Sequence, residues 1–406
     1  MGEPVRIRGI GIVTPFGTGH GSFCDALLGA RSAIAPIQGF DTTDCRSRLG
    51  ASIAGFDPSP WVAPMKMRRM DRTAVYAVAA TKLAIEDAGQ SIPPEGDDRM
   101  GVVLGTWTAG GGSTQIFLDA LFRQGVAAAP ALLFDSTVAN SAASIVGLDH
   151  RLRGPNMTVS HKEASGLAAL VDAVDLLREG HASSLIAGGT DAVFETFFKA
   201  HDRFAVMSAG SAFSSKLAPF DAAREGFVLG EGAVSFWLER SDASPGRGGR
   251  GEILGVAASS ASVPLNAWPD RPEPLERTMT MAMQDAGLAP SDIDVVYASA
   301  NATQELDRCE AQALTSLFGG TRTVVTTIKG ALGESGVSGG LACAAACLCG
   351  PRVPPVAGLS EPDRVTASLR LACGAVDAPG PVVLVNSFAS GGALFSAVLR
   401  IERGRA

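Results

Sequence analysis

Strand-like and helix-like runs alternate along this chain in two successive passes, a pattern that restricts it to α/β architectures. The first pass opens with the strand-like run Val5–Val13, closed by Thr14-Pro15. Helical spacing follows from Asp71 to Gly89, carried by Val75, Val78, Ala79 and Leu83. Strands are predicted at Met100–Leu104, at Leu185–Gly189 and along the glycine-marked stretch Gly226–Leu238. The only linker-like segment is Asp242–Gly251. Beyond it the pattern restarts: strand at Glu252–Ala258, helix at Glu276–Ala286, strand at Asp294–Ala298, helix near Glu310–Phe318 and strand at Thr323–Thr327. The chain therefore divides into halves 1–250 and 251–406, whose similar element order fits an ancient duplication.

Composition narrows the function classes. The 406 residues are 46% hydrophobic and 18% charged with 48 glycines, which suits a tightly packed protein. A net charge of −7 and a pI near 5.4 argue against a nucleic-acid surface. The one basic patch, Lys66, Arg68, Arg69 and Arg72, reads as a solvated helix start, with contact to an acidic partner as the alternative. Met1-Gly2-Glu3 enters a strand almost at once, and apolar runs such as Val382–Val385 fall well below a membrane span. The expectation is a cytoplasmic protein with no membrane contact. The seven cysteines are an odd count without a secretory signal, which argues against a disulfide framework. Cys343, Cys347 and Cys349 lie in an alanine-rich helix and read as small buried hydrophobes, not metal ligands. Neither a metal nor a cofactor is expected.

The stretch Gly154–Leu167 has the setting of a nucleophile without the nucleophile. Met157-Thr158-Val159 reads as a buried strand, and Leu167, Leu170, Val171, Val174 and Leu177 mark the helix that follows. A strand-to-helix corner presents one side chain to the positive end of a helix dipole, where a thiolate would be activated. That corner holds Glu163, an anion the dipole would stabilise but which cannot carry a thioester. A buried carboxylate needs a partner, and Lys329 and His161 are the candidates.

This segment resembles the active-site elbow of β-ketoacyl synthases, where the corner residue is the cysteine that carries the growing acyl chain. The resemblance runs nearly end to end. It includes Arg8–Gly17, Arg69-Met70-Asp71-Arg72, Ile186–Ala192, Pro219-Phe220-Asp221 with Arg224–Gly232, and the closing loop Asn386–Gly392. It implies a thiolase-type, five-layered αβαβα fold of two duplicated α/β halves. Family condensation uses the cysteine and two histidines that stabilise the enolate left when malonyl-thioester decarboxylates. Here the histidine positions are Asn301 and Glu334, while the family lysine remains as Lys329. In the closing loop a family glycine and gating phenylalanine have become Ala389 and Ser390.

All three catalytic positions are thus replaced, and the combination resembles a chain-length factor (KSβ), the noncatalytic ketosynthase partner in type II polyketide synthases. Glu305–Leu314 leading to Phe318-Gly319 supports the same subfamily. The resemblance implies a catalytically inactive subunit of a β-ketoacyl synthase complex. Its partners would be a cysteine-bearing ketosynthase (KSα), held as a heterodimer, and an acyl carrier protein docking mainly on that partner. Chain-length factors of aromatic systems usually carry glutamine at the elbow, so Glu163 favours a polyene-type or other reducing system. The alternatives are an aromatic-system factor and a malonyl-carrier-protein decarboxylase. Trp107, Gly111, Gly112, Ser113, Ile116 and Phe117 fall where such factors line the acyl tunnel, with the glycines read as a flexible turn before a helix at Thr114–Arg123.

Overall fold

A computed structural model describes residues 2–241 and 248–402, so Asp242–Arg247 of the expected linker lie outside the described residues. Five strands build the first half: β1 (Val5–Val13), β2 (Met100–Gly105), β3 (Asn156–Val159), β4 (Ser184–Asp191) and β5 (Gly232–Arg240). Five more build the second: β6 (Gly251–Ser260), β7 (Val295–Tyr297), β8 (Val324–Thr326), β9 (Val382–Phe388) and β10 (Ala393–Ile401). The spatial order is β3-β2-β4-β5-β1 in one half and β8-β7-β9-β10-β6 in the other. Corresponding strands occupy matching places, and in each half four strands run parallel while one, β5 or β10, runs antiparallel to them. Antiparallel pairing of β1 with β6, Val5 opposite Ile253, fuses the halves into one eleven-stranded sheet with Arg370–Leu371 at its far edge.

Helices complete the layers. α1 (Arg72–Asp87), α2 (Gly111–Gln124), α3 (Ser141–His150), α4 (Ser165–Arg178) and α5 (Glu195–Arg203) belong to the first half. α6 (Glu273–Asp285), α7 (Gln304–Phe318) and α8 (Ser338–Leu348) belong to the second. α4 and α8 pack on each other between the two half-sheets, while α1 with α3 and α6 with α7 cover the outer faces. This is the thiolase-type fold. A helix with a sheet on either side is buried all round, which is why Leu167 to Leu177 and the Gly/Ala/Cys run of α8 carry almost no polar face.

Close approach explains the opening glycine pattern. A Cβ on Gly9 would stand 2.3 Å from the Ala84 carbonyl oxygen, and one on Gly11 would stand 1.9 Å from that of Ala80. Both positions therefore demand glycine for α1 to reach the sheet. Asp71 starts α1 by accepting the Thr73 amide, and the same carboxylate accepts Ser113 N–H, tying the start of α2 to the start of α1.

Several local expectations change. β3 forms, but as the sheet's edge strand: Val159 is buried and Met157 is exposed, so the run was not a buried strand. The glycines before Thr114 are not a flexible turn, since α2 begins at Gly111. The Gly226–Leu238 run splits into Leu229–Gly230 and β5, and α7 starts at Gln304, ahead of Glu310. Of the basic patch, Lys66 pairs with Asp149 and Arg72 with Glu231, while Arg68 and Arg69 are exposed and make no ion pair among the described residues. Cys343, Cys347 and Cys349 are buried, and no cluster among the described residues could hold a metal. No described helix is long and apolar enough to cross a membrane.

Candidate functional site

β3 ends at Val159, a short turn covers Lys162–Ala164, and α4 begins at Ser165, so Glu163 sits at the corner between strand and helix. Its carboxylate is 2% exposed and accepts from the Ser390 hydroxyl at 2.9 Å and the Ser390 amide at 3.2 Å. Neither expected partner takes that role. Lys329 is engaged elsewhere, and His161 is exposed with its ring against Phe395, centroids 5.1 Å apart. The helix dipole does not prevail here either. Burial pushes the Glu163 carboxyl up to about 7, Glu334 pushing the same way while Lys162 and the Ser390 bond oppose it. A helix end contributes at most about 2 kcal/mol, whereas taking a carboxylate out of water costs several.

The other two replaced positions bond to each other. Asn301 Nδ2 donates to Glu334 Oε2 at 2.8 Å, and Lys329 Nζ donates to the same oxygen at 2.8 Å. Lys329 also donates to the Ser299 carbonyl at 2.7 Å, and Ser335 N–H donates to Glu334 Oε1 at 3.2 Å. Asn301 Oδ1 accepts from the Thr303 amide and hydroxyl. Asn301, Lys329 and Glu334 thus form a buried, mutually bonded group, and Glu163, whose carboxyl feels the Glu334 charge, is bonded separately to Ser390. Two further buried carboxylates support it. Asp307 accepts the Asn301, Ala302 and Phe220 amides, and Glu310 accepts the Ser299 amide and the Asn386 side chain. Burial raises Asp307 to about 6 and Glu310 to about 7. No thiol stands in this group, and Asn301 gives one of its side-chain N–H groups to Glu334.

Two hollows flank α2 and α5. The larger, about 870 Å³, is lined by Ile37, Phe40, Ile53, Met70, Ile116 and Phe194 among others, with the Arg72–Glu231 pair and Tyr76 at its wall. Gly112 borders it, and a Cβ there would meet Asp71 Oδ2 at 3.2 Å. The smaller, about 490 Å³, is bordered by Gly111, Leu118 and Phe122. Trp107, Ser113 and Phe117 line neither. Trp107 stands edge-on to Phe197 and His201, Ser113 is buried, and Phe117 packs on Phe134. Phe194 was not legible in the sequence, yet it borders both hollows, and its ring lies where a Gly111 Cβ would fall, 2.2 Å away. Ser390 was noted for its missing phenylalanine but not as the partner of Glu163. The usable signal was two departures in one place, an acid at the elbow and a hydroxyl in the loop above it.

Comparison with known proteins agrees with this architecture. Residues 2–243 match the β-ketoacyl synthase N-terminal domain and residues 250–351 the C-terminal domain. The chain belongs to the β-ketoacyl synthase family. It is 31% identical over 370 residues to the tetracenomycin polyketide synthase ketoacyl synthase beta subunit of Streptomyces glaucescens, covering 88% of this chain and 89% of that one. It is 30% identical over 428 residues to 3-oxoacyl-[acyl-carrier-protein] synthase 2 of Rhizobium meliloti, covering 98% and 99%. Among solved structures, the ishigamide ketosynthase/chain length factor superposes with a TM-score of 0.90 at 26% identity, over 99% of this chain and 100% of that one.

Proposed function

We propose that this chain is a noncatalytic chain-length factor: it pairs with a cysteine-bearing ketosynthase and shapes the tunnel into which that partner's acyl chain grows. The observation that carries this reading is that Asn301, Lys329 and Glu334 bond one another and Glu163 bonds Ser390, so the place of a condensing site is bonded inward and holds no thiol. A decarboxylase would need donors for the enolate, and here Asn301 and Lys329 each give one N–H to the Glu334 carboxylate, whose charge would repel an enolate. That weighs against the priming reading.

One apolar face supports pairing. Phe122, Phe134, Val138 and Leu148 are exposed around α2 and α3, an apolar face next to the free edge of β3. Large apolar exposure of this kind marks an interaction face, and a permanent interface typically buries about 2,000 Å² or more. The larger hollow supports a place for the acyl chain, with isoleucines, phenylalanines and methionines beside the polar groups of Arg72, Tyr76 and Gln115. The acid at position 163, where aromatic-system factors usually carry glutamine, is what favours a reducing, polyene-type product. Gly112, Ile116 and Phe194 are then the tunnel residues nearest the chain, with Gly111 admitting the Phe194 ring.

The test is reconstitution. Co-expressed with its cognate ketosynthase, the chain should co-purify in a stoichiometric complex that elongates malonyl-carrier protein, while the isolated chain does not. Glu163→Cys alone should restore nothing, because both histidine positions remain replaced. A chain that stays apart from the ketosynthase, or elongates by itself, contradicts the proposal.

A further inference from the structure

The space in front of Glu163 is closed, and one lysine holds it closed. That space, bordered by Lys162, Glu163, His201, Phe204, Asn266 and Ser390, measures about 20 Å³. A single water needs roughly 10–15 Å³, and a site for an extended organic ligand needs about 300 Å³ or more. An acyl-pantetheine arm has no room there.

The closure has identifiable parts. Lys162 Nζ donates to Ser390 Oγ at 2.5 Å and to Asn266 Oδ1 at 2.7 Å. Ser390 lies in the loop 389–392 and Asn266 in the loop 261–268, so one ammonium bridges two loops distant in sequence. The backbone repeats the junction: Gly391 N–H donates to the Ala267 carbonyl at 2.9 Å, and Ala261 N–H to that of Gly392 at 2.9 Å. From below, Glu163 accepts both the Ser390 hydroxyl and its amide. Lys162 itself has φ 51°, a left-handed conformation that a lysine keeps only where its surroundings fix it.

We infer that Lys162 is a bolt across the mouth of this chain's own vestigial site, excluding carrier-borne acyl-pantetheine so that loaded carrier delivers only to the partner's cysteine. The inference rests on the noncatalytic reading above. Its mechanism is electrostatic and geometric: one charge shared by Ser390 and Asn266 pins both loops over Glu163, and charge-assisted bonds are stronger than neutral ones.

The test has two readouts on the co-expressed complex. In the first, Glu163→Cys and the double variant Glu163→Cys/Lys162→Met are treated with bromoacetyl-pantetheine, and alkylation is followed by intact mass. The double variant should react at least ~10-fold faster. In the second, Lys162→Met on the native Glu163 background should speed amide exchange at Gly391 and Ala261 at least ~10-fold, with the melting transition still cooperative. Methionine keeps the stem and removes only the donors. Equal alkylation rates in the two thiol variants, or unchanged exchange in Lys162→Met, overturns the inference. Both readouts can be repeated on the isolated chain, so a failure to pair with a ketosynthase would sink the proposed function without touching the bolt.

Discussion

The Glu163 region and the α2 region started from the same family template and carry opposite kinds of change. Around Glu163, residues that would act on a substrate have become residues that bond to one another, and the remaining space is about 20 Å³. Beside α2 the residues are small: Gly111 admits the Phe194 ring, Gly112 borders open space, and the hollow measures about 870 Å³. Room is scarce around Glu163 and ample beside α2. On the proposed noncatalytic reading, the contrast argues against simple decay of the site. Glu163, Asn301, Lys329 and Glu334 all find partners, while Glu310 Oε2 beside them has none.

The largest effect should come from breaking the closed region. Lys329→Met leaves the buried Glu334 carboxylate with only the Asn301 amide and its own loop, and removing one member of a buried pair typically costs about 3–5 kcal/mol. Thermal unfolding of the variant checks this. The double variant Lys329→Met/Glu334→Gln should recover most of the loss, and an unchanged melting temperature in Lys329→Met would mean the pair contributes nothing to closure.

Next in size is the pH dependence of Glu163. Its folded value is about 7 against an ordinary 4.5. The folded state therefore keeps a proton that the unfolded chain releases, and this favours folding at low pH. The contribution is lost as pH rises from about 4.5 through about 7, on the order of 3 kcal/mol in total. Glu163→Gln should flatten that part of the stability curve and leave the variant more stable than the parent at pH 8. Urea unfolding at pH 5, 6, 7 and 8 reads it directly, and parallel curves would show Glu163 to be ionised when folded.

The open region gives a paired test of comparable or smaller size. Ser113 is buried and borders neither hollow, so Ser113→Phe overpacks the start of α2 at a cost of about 1–3 kcal/mol. Gly112 borders the larger hollow, and Gly112→Phe should place its ring there with a smaller stability cost. In the complex it should shorten the product while early condensations continue, as mass spectrometry of products would show. Product length unchanged at normal yield would place the growing chain elsewhere. The smallest effect should be Asp119→Asn, which removes only an exposed pair with Arg123 on α2 and should change stability by less than ~0.5 kcal/mol.

Much of this was legible in the sequence. Alternating periodicity and the spaced glycines of Arg8–Gly17 gave the two-pass α/β plan, because strand and helix burial leave a period in the residues themselves. The replaced positions Glu163, Asn301 and Glu334 were legible for the same reason, each standing inside a recognisable local motif. Pairings across the fold were not. Glu163 with Ser390 spans 227 positions and Lys162 with Ser390 spans 228, and nothing local encodes which side chain closes over which. Phe194 escaped for a related reason: a phenylalanine before a helix reads as ordinary core until the glycines of another helix are placed beneath its ring. Met157 misled because a β-branched strand at a sheet edge carries the same residues as a buried one.

The central claim is that this chain lends space and not chemistry, and acyl occupancy of each subunit tests it most directly. The complex with its ketosynthase would be incubated with malonyl-carrier protein, quenched during turnover, and each subunit weighed by intact-protein mass spectrometry. The account predicts acyl mass on the ketosynthase cysteine and none on this chain. Acyl mass on this chain during turnover would contradict it.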